Sequence, residues 1–311
     1  MRQNPQPLLF SGTANRSFAR RVAKELNLKL GNIEVVKFSD EETHVIVHED
    51  VVGRDVYIIQ PTSMPANEHL MELLLMVHAI KSGKPKRITA VMPFFGYRRQ
   101  EKQTKPGESL SFQLIAKLLR AAGVTRVLVM DLHKHRSSKF FLEEKMISKE
   151  LRAFDVIIEY FRGKKLQNFV VLAPDKGAVP ESERYAKALQ VPLVKVFKHR
   201  VFSKRDQVTI DRFEGGVAGK DILIIDDEIN TAGTLMGIVD ILKKKKARNI
   251  YFACTHAVLS GPAIERLANA RIRQVIVTDT IFLPQKKRLH KIRVLSVSSL
   301  FANTIARWSR L

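Results

Sequence analysis

The segment Asp221-Ile-Leu-Ile-Ile-Asp-Asp-Glu-Ile-Asn-Thr-Ala-Gly-Thr-Leu235 sets an apolar run before two adjacent carboxylates and then a stretch of small and hydroxyl residues. Read as a buried strand, a short loop and the start of a helix, it brings Asp226 and Asp227 to the strand's C-terminal end. Backbone N–H groups of the loop and the Thr231 and Thr234 hydroxyls then face one point. That arrangement suits a phosphate, because unpaired N–H groups and the helix dipole both attract an anion. The paired carboxylates suit sugar hydroxyls or a hydrated Mg²⁺. Singly, an Asp at a strand end and a Thr at a helix start are ordinary turn chemistry. The combination is what points to phosphate.

Other residues fit the same chemistry. Lys198 and Arg200 offer a point charge and a planar guanidinium, which developing charge on a transferring phosphoryl group calls for. Alone, in so basic a chain, they would read as a solvated face. The polar, basic stretch Val201 to Gln207 follows them and is able to close over a triphosphate. Phe38, ahead of Asp40 and Glu42, is either a strand-edge core residue or an exposed ring that stacks on a base while the acids accept amine hydrogens. His133 and Asp175 each follow an apolar run. A histidine there is often structural, and Mg²⁺ prefers oxygen, so a contact of His133 with phosphate or metal-bound water is easier than ligation. His135 is no partner for it, since alternate residues of an extended segment face opposite sides. The chain has no GxxxxGK[ST] or GxGxxG motif, which leaves a P-loop kinase or a dinucleotide dehydrogenase without support.

Such residues need strands that end where they begin. Apolar runs at Asp55–Gln60, Arg87–Met92, Val127–Met130, Phe169–Leu172, Ile222–Ile225, Ile250–Ala253 and Val275–Val277 are nearly continuous, as in parallel sheets covered on both faces. Helical patterns such as Leu70, Leu73, Leu74 and Val77, or Leu235, Ile238, Val239 and Leu242, lie between them. The alternation predicts an α/β fold of doubly wound parallel sheets. With 311 residues, 45% of them hydrophobic, two medium domains are expected. Spacing sets them at 1–147, with 298–311 packing back on it, and 148–297. The apolar runs are far shorter than the roughly 20 residues of a membrane span, so no membrane partner is expected. The arginine-rich start superficially resembles a transit peptide, but Pro7 to Phe10 reads as a strand and Phe18, Val22 and Leu26 share a helical face. A single cysteine, Cys254, excludes a disulfide scaffold and a zinc ribbon and fits the reducing cytosol, hence a cytoplasmic location.

The 221–235 segment resembles the phosphoribosyl-pyrophosphate signature, and the chain as a whole resembles the ribose-phosphate pyrophosphokinase family. Phe38-Ser-Asp-Glu-Glu42, Asn67 to Leu75, Phe94-Phe-Gly-Tyr-Arg-Arg-Gln100, Asp131-Leu-His133, Pro174-Asp-Lys-Gly177, Lys198-His-Arg200, Thr255-His256 and Asp279-Thr-Ile281 fall in the family's order and near its spacing. The resemblance implies two similar phosphoribosyltransferase-like domains and transfer of pyrophosphate from ATP to the 1-hydroxyl of ribose 5-phosphate, with AMP released and Mg²⁺ required. It implies ATP binding by Phe38, Asp40, Glu42, Arg99, Gln100 and Glu101. Ribose 5-phosphate falls to Asp226, Asp227, Asn230, Thr231, Ala232, Gly233 and Thr234. Metal association falls to His133 and Asp175, and catalysis to Lys198, Arg200 and His133. It also implies a homo-oligomer, dimer or hexamer, in which a neighbouring subunit lends the Phe38 loop.

Several positions depart from the family pattern. Asn230 replaces a usual aspartate, Ala232 and Glu41 replace usual glycines, Ala178 follows Gly177 where a second glycine is common, and Val52 precedes Gly53 where phosphate-regulated members have arginine. Two readings therefore stand: an active synthetase, or a weakly active paralogue that serves a partner or binds nucleic acid. A phosphoribosyltransferase sharing only the sugar-phosphate loop is a lesser third, against which Arg99 to Glu101 argue. The net charge of +22 favours anionic partners. It is concentrated in 81–106, 195–205, 243–248 and 285–311. The first two hold Arg99 and the Lys198/Arg200 pair, whereas 243–248 and 285–311 match no family site.

Overall fold

A computed structural model of the chain describes residues 6–164, 166, 168–200 and 208–310, with backbone alone at 135, 197–200 and 208–213. It divides into two compact units, 1–152 with 279–282 and 296–311, and 153–278 with 283–295.

The first unit carries β1 (Leu8–Ser11), α1 (Arg16–Glu25), β2 (Ile33–Lys37), β3 (Thr43–Val47), β4 (Asp55–Ile59), α2 (Ala66–Ser82), β5 (Arg87–Met92), α3 (Ser111–Ala122), β6 (Arg126–Met130), α4 (Lys139–Glu143) and β7 (Ile147–Leu151). Its sheet has the order β1-β4-β5-β6-β7 and is parallel throughout. β4 is buried along its whole length, which is why its sequence shows no polar alternation. Leu73, Met76, Val77 and Ile80 of α2 and Phe112, Ile115 and Leu119 of α3 fill one face together with Phe140 and Phe141 of α4. A β2–β3 hairpin stands apart as its own two-stranded sheet.

The second unit carries α5 (Phe154–Arg162), β8 (Val170–Ala173), α6 (Val179–Leu189), β9 (Leu193–Arg200), β10 (Val208–Glu214), β11 (Asp221–Ile229), α7 (Gly233–Lys244), β12 (Asn249–Ala257), α8 (Ala263–Asn269), β13 (Gln274–Thr278) and β14 (Ile292–Leu295). Its seven-stranded sheet has the order β10-β9-β8-β11-β12-β13-β14, parallel except at β10. Residues of α7 and α8 share one core with the sheet, including Leu235, Ile238, Leu242 and Leu267. Among the described residues no helix is long and apolar enough to cross a membrane.

The chain then returns to the first unit as α9 (Ser298–Ser309). Phe301 of α9 meets Phe18 of α1 edge to face at 5.3 Å, and Ser309 Oγ donates to Tyr57 Oη of β4 at 3.2 Å. Asp279, 6% exposed, anchors the return. Its carboxylate accepts from Arg21 Nη2 at 2.9 Å, Ser296 Oγ at 2.7 Å and the Val297 N–H at 2.9 Å, and its carbonyl accepts from Asn15 Nδ2 at 2.9 Å. Asn15 also caps α1 through the Phe18 N–H.

Two segments differ from the sequence reading. β11 does carry Asp226 and Asp227 in its C-terminal part, but it runs on past them to Ile229, pairing Asp226 with Cys254 and Glu228 with His256. Parallel pairing with a long β12 carries the ladder past the apolar run. β9 likewise runs through Arg200, pairing Arg200 with Val208 of β10, so Lys198 and Arg200 sit on one arm of a hairpin. Val201 to Gln207 lies outside the described residues. The strands that apolarity alone does not reveal are β2, β3, β7, β9, β10 and β14. β7 and β14 end the two sheets and carry charges such as Lys149 and Arg293.

Asp279→Ala strands the Arg21 guanidinium and two further donors. The expected loss is about 3 kcal/mol of stability, read as a lower urea midpoint. An unchanged midpoint would remove Asp279 from its anchoring role.

Candidate functional site

In the second unit the winding reverses between β8 and β11. From β8 the chain moves to β9 on one side and then to β11 on the other. In open α/β sheets the crevice outside the carboxyl ends at such a reversal is the place for a ligand. Asp175 follows β8 there, and Asp226, Asp227 and the 230–234 loop belong to the end of β11. Asp175 is half-buried and accepts from the Ala178 N–H at 3.1 Å, capping the short 3₁₀ turn Lys176–Ala178.

The Asp226 side chain opens on solvent, yet protein bulk close around its carboxyl disfavours ionisation, and the Asp227 and Asp175 charges add to this. Together they push its pKa up from 3.8 to about 8. The Asp227 N–H donates to Asp226 Oδ1 at 2.8 Å, which offsets part of the effect. The strand end thus holds more negative charge than it can comfortably carry. Hard oxygen donors in electrostatic excess fit Mg²⁺, which takes one or two carboxylates and completes its shell with water and phosphate oxygens. Among the described residues no three His, Cys, Asp or Glu side chains form a protein-only metal cage.

The loop before α7 is held by main-chain and neighbouring contacts. Ala232 is left-handed (φ 60°, ψ 7°) and offers no side-chain cap, so the first N–H groups of α7 face outward unblocked by the protein's own side chains. A left-handed turn is where glycine is at home, which accounts for the glycine usual in the family at this position. Thr231 and Thr234 are exposed. Asn230 accepts from Ser260 Oγ, and the Ser260 N–H donates to the Asn230 carbonyl at 3.1 Å, so the residue ties the loop to the turn after β12. Sequence reasoning missed Ser260, and it missed Arg266 of α8, whose Nη1 donates to the Thr231 carbonyl at 2.9 Å. Neither lies near the loop in sequence, so spacing held no signal for them. Cys254 and His256, beside the carboxylates on β12, are fully buried. Burial, then the nearby carboxylates, holds the Cys254 thiol well above its ordinary pKa, so it is inert.

In the first unit two loops at the carboxyl ends of β5 and β6 clasp each other. Arg98, 1% exposed, donates from Nη1 to the Asp131 carbonyl at 3.3 Å and lies 5.7 Å from the Phe94 ring. Ser137 Oγ donates to Glu101 Oε2, and Lys134 Nζ lies 3.5 Å from Glu101 Oε1. Glu101 is thereby largely buried between the loops, while Arg99 and Gln100 beside it are exposed, as is His133. Ser111 Oγ at the start of α3 holds Gln100 Oε1 at 2.6 Å. The clasp therefore brings Arg99, Gln100 and His133 onto adjoining loops. Arg98 and Ser137 complete the sequence-derived set, and only their burial reveals them.

The Phe38 loop joins β2 to β3. Phe38 is 52% exposed, with its ring 5.0 Å from that of His44, so the core alternative does not hold. The Glu42 N–H donates to Asp40 Oδ1 at 3.2 Å, and Glu41 takes φ 71°, again a conformation that favours glycine. Val52 is 63% exposed in the turn before β4. Side chains at Lys198 and Arg200 lie outside the described set.

Residues 8–123 match the N-terminal domain of ribose phosphate pyrophosphokinase, and residues 201–310 match the phosphoribosyl synthetase-associated domain. The ribose-phosphate pyrophosphokinase of Fusobacterium nucleatum is 39% identical over 96% of this chain and 94% of its own. That of Campylobacter jejuni is 40% identical over 96% and 94%. The crystal structure of phosphoribosylpyrophosphate synthetase from Mycobacterium smegmatis superposes with a TM-score of 0.91 at 36% identity, covering 98% of this chain and 99% of that one. Such likeness along nearly the whole length makes this chain a member of the ribose-phosphate pyrophosphokinase family.

Proposed function

We propose that the protein is a ribose-phosphate diphosphokinase that moves the β,γ-pyrophosphoryl group of ATP to the 1-hydroxyl of ribose 5-phosphate, giving phosphoribosyl pyrophosphate and AMP. The observation that carries this reading is the phosphate-type loop and carboxylate pair at the winding reversal of the second sheet. The comparisons favour it over the inactive-paralogue alternative.

In this reading the 5-phosphate rests on the outward N–H groups of α7 and on Thr231 and Thr234, with Asn230, Ala232 and Gly233 shaping the turn. Asp226 and Asp227 accept from the ribose hydroxyls. Arg99, Gln100 and an oligomer neighbour's Phe38, Asp40 and Glu42 hold the nucleotide; the exposure of Phe38 at a hairpin tip supports such lending. Glu101 acts as a strut that sets Arg99 against His133, since Ser137 and Lys134 occupy its carboxylate. Phosphoryl transfer of this kind is mostly positioning and charge neutralisation, the role assigned in this reading to Lys198 and Arg200 of the second unit and to His133 of the first. Asp175 and His133 stand nearest in type to the metal-associated pair, and bound Mg²⁺ would supply charge neutralisation of the phosphates. Dependence on ATP and the lone buried thiol support a cytoplasmic setting.

Purified protein with Mg²⁺, ATP and ribose 5-phosphate is expected to release AMP in proportion to phosphoribosyl pyrophosphate, and Lys198→Ala to lower that rate by about 10²-fold or more. Absence of AMP at saturation would sink the assignment. A second expectation concerns pH. Between 3.8 and about 8 the folded protein keeps an Asp226 proton that the unfolded chain has lost, so this group makes stability fall as pH rises through that window. Asp226→Asn removes the penalty. In metal-free buffer the variant should gain on the parent protein in urea midpoint from pH 5 to pH 8, while losing turnover. A gap that shrinks with pH would contradict the electrostatic account.

A further inference from the structure

On the reading that the 226–234 loop takes ribose 5-phosphate, we propose that Arg266 of α8 is the cation that selects for the 5-phosphate. The electrostatics of the loop set the problem. From Asp226 to Thr234 it carries Asp226, Asp227 and Glu228 and no lysine or arginine. A phosphate arriving at the start of α7 brings roughly two negative charges, against which the helix end offers only about half a positive one. Bound Mg²⁺ is drawn first to the carboxylates. The phosphate therefore gains from a cation of the protein's own, and the loop has to obtain it from another element.

Arg266 is placed to be that cation. Its Nη1 donates to the Thr231 carbonyl, within the loop, at 2.9 Å. A Cβ on Gly233 would lie 3.1 Å from the same Nη1 and 3.9 Å from Cζ, so the guanidinium lies against the first residue of α7. Gly233 is not among the glycines of positive φ. What its missing side chain provides is room, and the guanidinium takes part of it.

The charge of Arg266 is also available. Among the described residues no carboxylate lies within ion-pair distance of it and its side chain makes no other hydrogen bond, so Nη2 and Nε keep their donors. The residue is exposed, and a planar fork of donors fits phosphate oxygens better than a point charge does. Two lysines share this edge of the sheet. Lys287 Nζ donates to the Leu259 carbonyl at 2.7 Å, in the turn whose Leu259 and Ser260 N–H groups hold the Ile229 and Asn230 carbonyls. Lys176, beyond Asp175, is exposed and has no hydrogen bond to the loop among the described residues. Lys198 and Arg200 are assigned above to the transferring group, which leaves Arg266 as the cation fixed to the loop itself.

The test is isothermal titration of ribose 5-phosphate into the full chain with Mg²⁺ and without ATP, run beside steady-state kinetics. Arg266→Met is expected to raise Kd and KM for ribose 5-phosphate about 10-fold, the scale of one charge-assisted hydrogen bond at an exposed site, while KM for ATP moves less than about twofold. Arg266→Lys keeps the charge and loses the fork, so its Kd should fall between those of the parent protein and Arg266→Met. Added salt should weaken ribose 5-phosphate binding more steeply in the parent protein than in Arg266→Met, because the variant has one ionic contact fewer to screen. A loop merely loosened by loss of the Thr231 contact would not produce that difference. An unchanged Kd in Arg266→Met, a lysine variant as weak as the methionine one, equal salt dependence, or an equal rise in KM for ATP would each overturn the role of Arg266. A parent protein that binds ribose 5-phosphate with this dependence on Arg266 but releases no AMP would defeat the proposed activity and leave the binding role standing. One that binds no ribose 5-phosphate would defeat both.

Discussion

Parallel strand pairing is the constraint on which everything else in this molecule depends. A parallel strand can be followed by its neighbour only through a crossover back to the starting edge, so the ends of the parallel strands in each sheet gather on one side and their starts on the other, β10 alone running the other way. Residues far apart in the chain thereby meet at a common edge: Asp175 with Asp226 in one unit, and Arg98 with Asp131 in the other.

Within that frame the site is held against local preference. Asp226 sits where the protein bulk around its carboxyl and two like charges oppose its ionisation, and Ala232 and Glu41 occupy left-handed backbone that glycine would adopt without cost. Each is tolerated because neighbours over-determine it. β12 pairs with β11 to its last residue, Ser260 and Arg266 fasten the loop from outside, and the β2–β3 ladder closes the Phe38 turn. Strain and crowded charge gathered at one strand end is the usual trade between stability and activity at a functional site. The first unit shows the gentler form of it, with a buried carboxylate, Glu101, satisfied by Ser137 and Lys134 so that its exposed neighbours point outward.

Much of this was legible in residue order. Strands buried on both faces, β4, β5, β6, β8, β11, β12 and β13, betray themselves by unbroken apolar runs, and they are the strands that carry the site loops. The strands that escaped notice are hairpin arms or lie at or near sheet edges, where one side of the backbone faces water and the apolar signal fades. Candidate residues of distinctive type stood out too, Asp226, Asp227 and the threonines above all. Ser260, Arg266, Arg98 and Ser137 did not, because a serine or arginine carries no mark of its role until a fold brings its partner within hydrogen-bond reach.

The sequence by itself determined the alternation of strand and helix and the side-chain chemistry of the candidate loop, since these follow from side-chain type and local periodicity. Only the tertiary structure decided that the Asp226 carboxyl would be pushed toward neutrality, that Ser137 and Lys134 would engage the Glu101 carboxylate, that Phe38 would be exposed, and that Arg248 would pair with Asp221. Burial, hydrogen bonding and the distance between charges are properties of pairs, and pairs distant in sequence exist only once the chain has folded.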